Sequence, residues 1–181
     1  MAAVDSASAR LAAQLRRALS VRNHVDISAS RNVVFGAVSE PRHLETFHPF
    51  CRSNPIIRWN AESRRDVIEY RNGRVFVREF LEWSDLEGFE LLIGPTGWQR
   101  SLVLWTFEER GESSCRVSIR IHPHVFQPRP QFVFYLLGRR WVRKSLETYL
   151  RSVLLGLKHY CETGETVAPN QWGVHPYFSA A

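Results

Sequence analysis

The chain has 181 residues, enough for one domain with a sizeable core, and its 44% hydrophobic and 12% aromatic content excludes a disordered protein. The net charge of +6 suggests a nucleic-acid partner, but the basic residues are spread along the whole chain without zinc-finger spacing, so we expect no nucleic-acid binding. No apolar stretch approaches a span of about 18 residues and the three cysteines are far apart, which favours a cytoplasmic protein without stable membrane insertion.

An amphipathic helix is predicted near the N-terminus, over residues 5–20. Leu11, Leu15 and Leu19 recur every four residues and would form one apolar face. We expect residues 1–22 to be a helical extension that packs on the domain. Contact with a membrane surface is the weaker alternative.

A strand followed by two short helices is predicted next. Residues 24–28 alternate between apolar and polar side chains and indicate the strand. Ser30 can cap a helix over 31–39, and Pro41 begins a second helix that Pro49 ends. This is an uncommon opening for a domain.

Six further strands are predicted as a meander, each bounded by turn residues. They cover residues 55–59, 64–70, 74–83, 89–94, 100–109 and 115–121. Asn72 and Gly73 favour a two-residue hairpin turn between two of these strands. Because such short connections join neighbours, we expect an antiparallel sheet.

The pattern changes to helical spacing after Pro130. One apolar stripe continues to Cys161, arginines and lysines occupy the remaining surface, and Gly164 is a suitable stop. This predicts a long amphipathic helix. The tail, residues 165–181, still contains three aromatic residues, so we expect it to pack back on the domain.

The order of these elements resembles the START-like, or SRPBCC, superfamily, which includes lipid-transfer domains and bacterial polyketide cyclases and aromatases. The stretch HVDISASRNVVFGAVSEPRHLETFHP is similar to the opening of that superfamily, and the resemblance covers residues 23–163. It implies an α+β helix-grip fold for residues 23–164: a curved antiparallel seven-stranded sheet wrapped on the long C-terminal helix. It also implies an apolar cavity between them, but no single activity, since the fold hosts many functions.

Three His-Pro steps stand out, at His48, His122 and His175. Because consecutive antiparallel strands alternate in direction, the first two steps come to the same end of the sheet, where the superfamily has its cavity mouth. The residues expected at this end are His48, Phe50, Trp98, His122, His124 and Phe126. We predict that they bind the ligand, with Tyr70 and Trp105 as wall residues; the location of His175 stays open.

A metal site is not favoured at this end. His122 and His124 would share a strand face, as two metal ligands can, but no acidic residue lies close to them and Pro123 interrupts the strand. Histidines that hydrogen-bond to a polar ligand head are favoured over metal ligands. The remaining alternative is that the His-Pro steps merely end their elements.

The predicted strand 74–83 carries one charged residue toward each face of the sheet, because Arg78 and Glu79 alternate. A buried Glu79 would have a raised pKa and could act as a general acid or base. A buried Arg78 could polarise a carbonyl or bind a carboxylate. Alternatively, the inward charge pairs with the next strand or lies in water near the mouth.

We predict that the protein binds or transports a hydrophobic or aromatic small molecule in the cavity. The second interpretation is a polyketide cyclase or aromatase in which Glu79 or Arg78, together with His48 or His122, moves protons. We would abandon it if Glu79 and Arg78 both faced solvent or lay in ion pairs. A third is a partner-binding protein with a filled core. No cofactor is predicted, and enzymatic activity and oligomeric state stay open.

Overall fold

The computed structural model describes residues 6–126 and 132–179, which form one curled sheet with helices on both faces. In chain order the elements are α1 (Ser6–Arg16), β1 (Val21–Ile27), α2 (Arg31–Ser39), α3 (Leu44–Phe47), β2 (Cys51–Ser53), β3 (Ile56–Trp59), β4 (Arg64–Tyr70), β5 (Val75–Ser84), β6 (Gly88–Gly94), β7 (Ser101–Gly111), β8 (Ser114–His122) and α4 (Phe132–Thr163). A short 3₁₀ helix, His124–Phe126, follows β8. The predicted helix-grip architecture is confirmed.

The sheet is antiparallel throughout, in the order β1-β8-β7-β6-β5-β4-β2, and β3 also pairs with β4. Cys51 in β2 lies opposite Tyr70, whereas Trp59 in β3 lies opposite Arg64, so the two short strands pair with successive parts of β4. The two short strands therefore lie end to end beside β4, at one edge of the sheet. Counted across its width, the sheet is seven strands wide, as predicted. The sequence pattern did not predict β2, whose three residues are too few for a period to show.

Helix α4 covers one face of the sheet and α1 covers the opposite face. Leu91 and Val103 belong to the main core with α4, whereas their neighbours Leu92 and Leu102 pack against Leu15 of α1. This division follows from the alternation of side chains along a strand. We call the two surfaces the inner face and the outer face.

Helix α1 ends at Arg16, short of the predicted end at residue 20. Leu15 is fully buried on the outer face, but Leu19 is 55% exposed and contributes nothing to the apolar stripe. At the end of the helix, Arg16 binds the sheet through an ion pair of 2.6 Å with the buried Glu90 of β6. The chain leaves the helix here because it must extend to enter β1 at Val21.

Two local features of β4 and β5 also differ from expectation. The turn after β4 has three residues rather than two, since the Gly73 amide donates to the Tyr70 carbonyl (2.9 Å) and Gly73 takes a φ of 81°. In β5, a register shift between Phe80 and Glu82 interrupts the alternation. It turns Trp83 to the inner face, where its ring stacks on that of Phe89 with a centroid distance of 4.9 Å.

Candidate functional site

A cavity of about 630 Å³ lies between the inner face of the sheet and α4. Most of its wall is apolar and includes Ile68, Phe76, Leu91, Val103, Trp105 and Ile119 from the sheet and Leu146, Leu150 and Val153 from α4. This volume lies within the range of small-molecule sites. The core is therefore not filled, which argues against the partner-binding interpretation.

The cavity opens at the end where β8 finishes and β7 begins. Residues 97–99 and 123–125 line it there. Trp98 is 78% exposed and Val125 is 40% exposed although both contact the cavity. Strand parity predicts which residues meet at this end of the sheet, and the resemblance to the START-like superfamily implies that the mouth lies there.

Tyr70 and Tyr149, which we call the phenol pair, form the polar part of the wall together with His48. His48 Nδ1 accepts a hydrogen bond from the Phe50 amide (3.2 Å), so its hydrogen is on Nε2, which donates to Tyr149 Oη (2.9 Å). The two phenol oxygens lie 3.2 Å apart and share one hydrogen bond. Among the residues described, one phenol hydrogen is therefore left without an acceptor, and both rings line the cavity.

Burial keeps these three groups neutral. It lowers the pKa of His48 to about 3, an effect to which the positive charge of Arg78 adds. Burial also raises the pKa of Tyr149 to about 12 and that of Tyr70 well above its ordinary value of 10. At neutral pH the phenol pair and His48 thus act as hydrogen-bonding groups rather than as an acid and a base.

The depressed pKa of His48 predicts a loss of stability in acid. An unfolded histidine takes up its proton near pH 6.5, whereas folded His48 does so only near pH 3, so the free energy of unfolding falls as the pH drops between these values. We expect the decline from pH 7 to pH 4 to be smaller by several kcal/mol in His48→Asn than in the wild type. Urea unfolding at both pH values measures this, and equal declines would contradict it.

Arg78 faces the cavity, and its charge is balanced by a buried partner. Its Nε donates to Asp66 Oδ1 (2.7 Å) and its Nη2 to Asp66 Oδ2, and the side chains are 5% and 0% exposed. Nη2 also donates to Nε2 of His43 (3.1 Å), whose Nδ1 hydrogen goes to the Glu40 carbonyl. The two hydrogens of Arg78 Nη1 have no acceptor in the described part of the chain, and Arg78 lines the cavity.

Glu79 lies on the outer face, so the prediction that it acts within the cavity is wrong. Alternation along β5 turns it toward α1, where it forms an ion pair with Arg100 (2.5 Å) and accepts a hydrogen bond from Ser8 (3.1 Å). Glu79 and Arg78 are therefore both held in ion pairs. This meets the condition for abandoning the cyclase interpretation in which these two residues move protons.

His122 and Phe50 also lie apart from the cavity wall. His122 is opposite Leu102, on the outer face, and its Nδ1 donates to the carbonyl of Ala18 (3.2 Å). Phe50 is buried behind the wall, where its ring stacks on Tyr149 at 5.8 Å. His122 and His124 do not act together because β8 ends at His122 and a 3₁₀ helix begins at His124, so the alternation that would place both on one face does not continue.

Five of the predicted ligand-binding residues do line the cavity: His48, Tyr70, Trp98, Trp105 and His124. His124 sits at the mouth, where its Nδ1 lies 3.2 Å from the hydroxyl of Ser101. The side chain of Phe126 lies outside the described part of the structure. For all of these residues, a role in binding stays a prediction.

Sequence reasoning missed Asp66, His43 and the hydrogen-bonding role of Tyr149. Asp66 reaches Arg78 because the two are opposite each other across β4 and β5, a register that a strand pattern alone does not specify. Tyr149 belongs to the apolar stripe of α4, and in the sequence only its hydroxyl group indicates that it could form a hydrogen bond. The roles of Asp66, His43 and Tyr149 therefore follow from the residues that they contact in the folded chain, not from the sequence around them.

The profile of the family described as polyketide cyclase/dehydrase and lipid transport matches residues 18–162, about four fifths of the chain. The chain belongs to this family. Membership supports a ligand-binding or cyclase role, in agreement with the cavity. The tail that follows α4, from residue 165 onward, lies outside the matched residues. The sequence has no significant match among curated proteins.

Solved structures of similar fold include chains of similar length to this one and a di-domain protein that is about twice as long. TTHA0849 from Thermus thermophilus is 20% identical, with 79% of this chain and 97% of that chain covered and a TM-score of 0.63. A conserved protein from Geobacillus kaustophilus is 10% identical, with 79% and 95% covered and a TM-score of 0.60. The di-domain ARO/CYC BexL from the BE-7585A biosynthetic pathway is 14% identical, with 78% and 45% covered and a TM-score of 0.57. At these identities the likeness shows the fold alone.

Among the helices described, none combines the length and the apolarity that crossing a membrane requires. Within residues 6–126 and 132–179, no group of three or more potential metal ligands comes together.

Proposed function

We propose that the protein binds a hydrophobic small molecule that carries neutral oxygen acceptors. One observation carries this proposal: an apolar cavity of about 630 Å³ in whose wall the phenol pair and Arg78 have hydrogens left to donate. The phenol pair has one hydrogen to donate, and Arg78 Nη1 has two. A buried donor without an acceptor is costly, so a ligand oxygen stabilises such a wall.

Charge balance favours a carbonyl oxygen over a carboxylate. Arg78 is already neutralised by Asp66, and burial together with the nearby Arg78 lowers the pKa of His43 well below its ordinary value. A carboxylate on Arg78 would therefore leave a net negative charge in a buried site, which is costly. A carbonyl accepts the same hydrogen bonds without that charge.

The two donor groups are attached at different positions along the sheet. Asp66, which holds Arg78, and Tyr70 are four residues apart on β4, which corresponds to about 13 Å at ~3.3 Å per residue. Ile68 and Phe76 lie between them and supply apolar wall. The proposed ligand therefore has an apolar part that packs against Ile68 and Phe76 and an oxygen that accepts a hydrogen bond from either donor group.

A cyclase acting on a carbonyl-rich chain is the second candidate, favoured by the family and by the free phenol hydrogen. It needs a general base, and the described cavity wall contains no carboxylate. Its deepest histidine, His48, has a pKa of about 3 and is a weak base. The proposed binding role needs no base. A cyclase would convert a poly-β-carbonyl thioester, whereas a binding protein would return it unchanged.

The cavity is tested with prodan, a fluorescent aromatic ketone. Val103→Phe fills the cavity from β7, so we expect it to weaken prodan binding by about tenfold or more. Val75→Phe is the matched control because Val75 is 49% exposed on β5 and does not line the cavity. Fluorescence titration gives both affinities, and thermal unfolding checks that both variants are folded.

Equal prodan affinities for the two phenylalanine variants would overturn the cavity as the binding site. Native mass spectrometry of the wild-type protein provides a second readout, since a co-purified neutral molecule should add a fixed mass. Naphthoate and acetylnaphthalene differ mainly in charge, and we expect the ketone to displace prodan at the lower concentration. Tighter binding of naphthoate would contradict the charge argument.

A further inference from the structure

We propose that the C-terminal tail, residues 165–179, is the specificity-determining wall of the cavity, and that Phe178 excludes water from the phenol pair. The inference rests on the proposed binding function and adds an element that lies outside the family match at residues 18–162. It assigns a role to the aromatic residues of the tail.

Phe178 covers the phenol pair directly. Its ring stacks on Tyr70 with a centroid distance of 4.3 Å and an interplanar angle of 29°, and its centroid lies 4.7 Å from that of Tyr149. Phe178 is 7% exposed, and both Phe178 and Tyr177 line the cavity. The phenol pair is therefore separated from solvent on this side by one tail side chain.

The tail is anchored just before Phe178, at His175 and Tyr177, by hydrogen bonds to two elements of the domain. His175 Nδ1 accepts from the Tyr177 amide (3.2 Å), so its Nε2 hydrogen is directed to Ser145 of α4, whose carbonyl is 3.1 Å away. Asn72, in the hairpin turn, donates to the Tyr177 carbonyl (2.6 Å). These contacts join α4 to the β4–β5 turn across Phe178.

A second set of contacts holds the neighbouring ring at the rim. Arg74 donates to the Tyr177 hydroxyl (3.3 Å), and its guanidinium lies 4.0 Å from the centroid of that ring. Between residues 164 and 179 the tail contains only turns and irregular backbone. Backbone hydrogen bonds from the amide of Val167 to the carbonyl of Thr46 (2.9 Å) and from the amide of Asn170 to the carbonyl of Pro49 (3.1 Å) hold its first part. Together with the side-chain contacts of residues 175–177, they keep two aromatic rings against the cavity.

Exclusion of water makes the phenol hydrogen selective for ligand oxygens. A hydrogen bond in a dry site is stronger than one that water competes for, and an unmet buried donor penalises a ligand without an acceptor. With Phe178 in place, a ketone should therefore bind better than a hydrocarbon of the same size. Without its ring, water would satisfy the phenol pair and this preference would fall.

The test compares prodan emission in Phe178→Ala and Trp172→Ala. Prodan emits at longer wavelength when water reaches its carbonyl, so we expect a shift to longer wavelength and greater acrylamide quenching in Phe178→Ala. Trp172 is an aromatic residue of the same tail that contacts His159 and does not line the cavity, so its variant should match the wild type.

A ligand pair tests the selectivity itself. In the wild type we expect acetylnaphthalene to bind more tightly than ethylnaphthalene, and in Phe178→Ala we expect the ratio of their affinities to fall by about fivefold. Phe178→Leu, which keeps apolar bulk, should retain most of the ratio and protects the test against a fold defect in the alanine variant.

The outcomes separate this inference from the proposed function. Unchanged emission and an unchanged affinity ratio in Phe178→Ala, with prodan still bound, would overturn the role of the tail alone. If the wild type binds none of the three probes, the proposed function fails. If both naphthalenes weaken equally, Phe178 contributes only packing, and the inference is wrong.

Discussion

Replacing Asp66 by leucine is expected to lower the free energy of unfolding by about 3–5 kcal/mol, because it leaves the buried guanidinium of Arg78 without a counter-charge. Arg78→Met should cost a similar amount, since it isolates a carboxylate that is 0% exposed and removes a donor from His43. The double variant places two apolar side chains opposite each other. We expect it to recover most of the loss, and urea unfolding at pH 7 measures all three.

The matched control is an ion pair on the surface. Arg143 and Glu147, one turn apart on α4, are 68% and 45% exposed, and Glu147→Leu should change stability by less than about 1 kcal/mol. A double variant that loses the sum of the two single losses would show that Asp66 and Arg78 are not coupled. That result would remove the basis for treating the pair as neutral toward a ligand.

Gly156→Ala is expected to destabilise the protein by more than about 3 kcal/mol or to prevent folding. Gly156 faces α3 from the C-terminal half of α4, and a Cβ there would lie 2.0 Å from the carbonyl oxygen of Phe47, which is a backbone atom and cannot rotate away. The helix would have to move off the sheet. Since α4 forms one side of the cavity, prodan binding should weaken in the same variant.

Gly36→Ala is the control for this prediction, because Gly36 is also helical but no atom lies within 4 Å of its added Cβ. Alanine favours the helix over glycine, so this variant should be more stable by up to about 1 kcal/mol. Thermal unfolding of the two variants should thus shift in opposite directions. A Gly156→Ala protein as stable as the wild type would show that α3 and α4 can separate without loss.

Local signals in the sequence were sufficient for most of the elements. Ser30 was expected to cap a helix over 31–39, and in the structure it accepts a hydrogen bond from the Val33 amide at the start of α2. The strand over 64–70 was predicted with the bounds that β4 has. Capping and alternation act between residues that are close in sequence, so both can be recognised from the sequence alone.

Long-range pairing decided the features that the sequence could not. Which of Arg78 and Glu79 faces the cavity depends on which face α4 covers, and no residue of β5 encodes that choice. The bulge that turns Trp83 inward is likewise set by pairing with β6. The phenol pair joins β4 to α4 across 79 residues, a separation over which no sequence period extends.

The sequence by itself determined the order of the elements other than the short β2, the antiparallel sheet and the amphipathic stripe of the last helix, because these follow from local spacing of apolar residues. Only the tertiary structure decided that Asp66 neutralises Arg78, that His122 and Glu79 lie on the outer face, and that Phe178 covers the phenol pair. Each of these depends on strand register and on the path of the tail. Both are set by the packing of distant segments rather than by any local pattern.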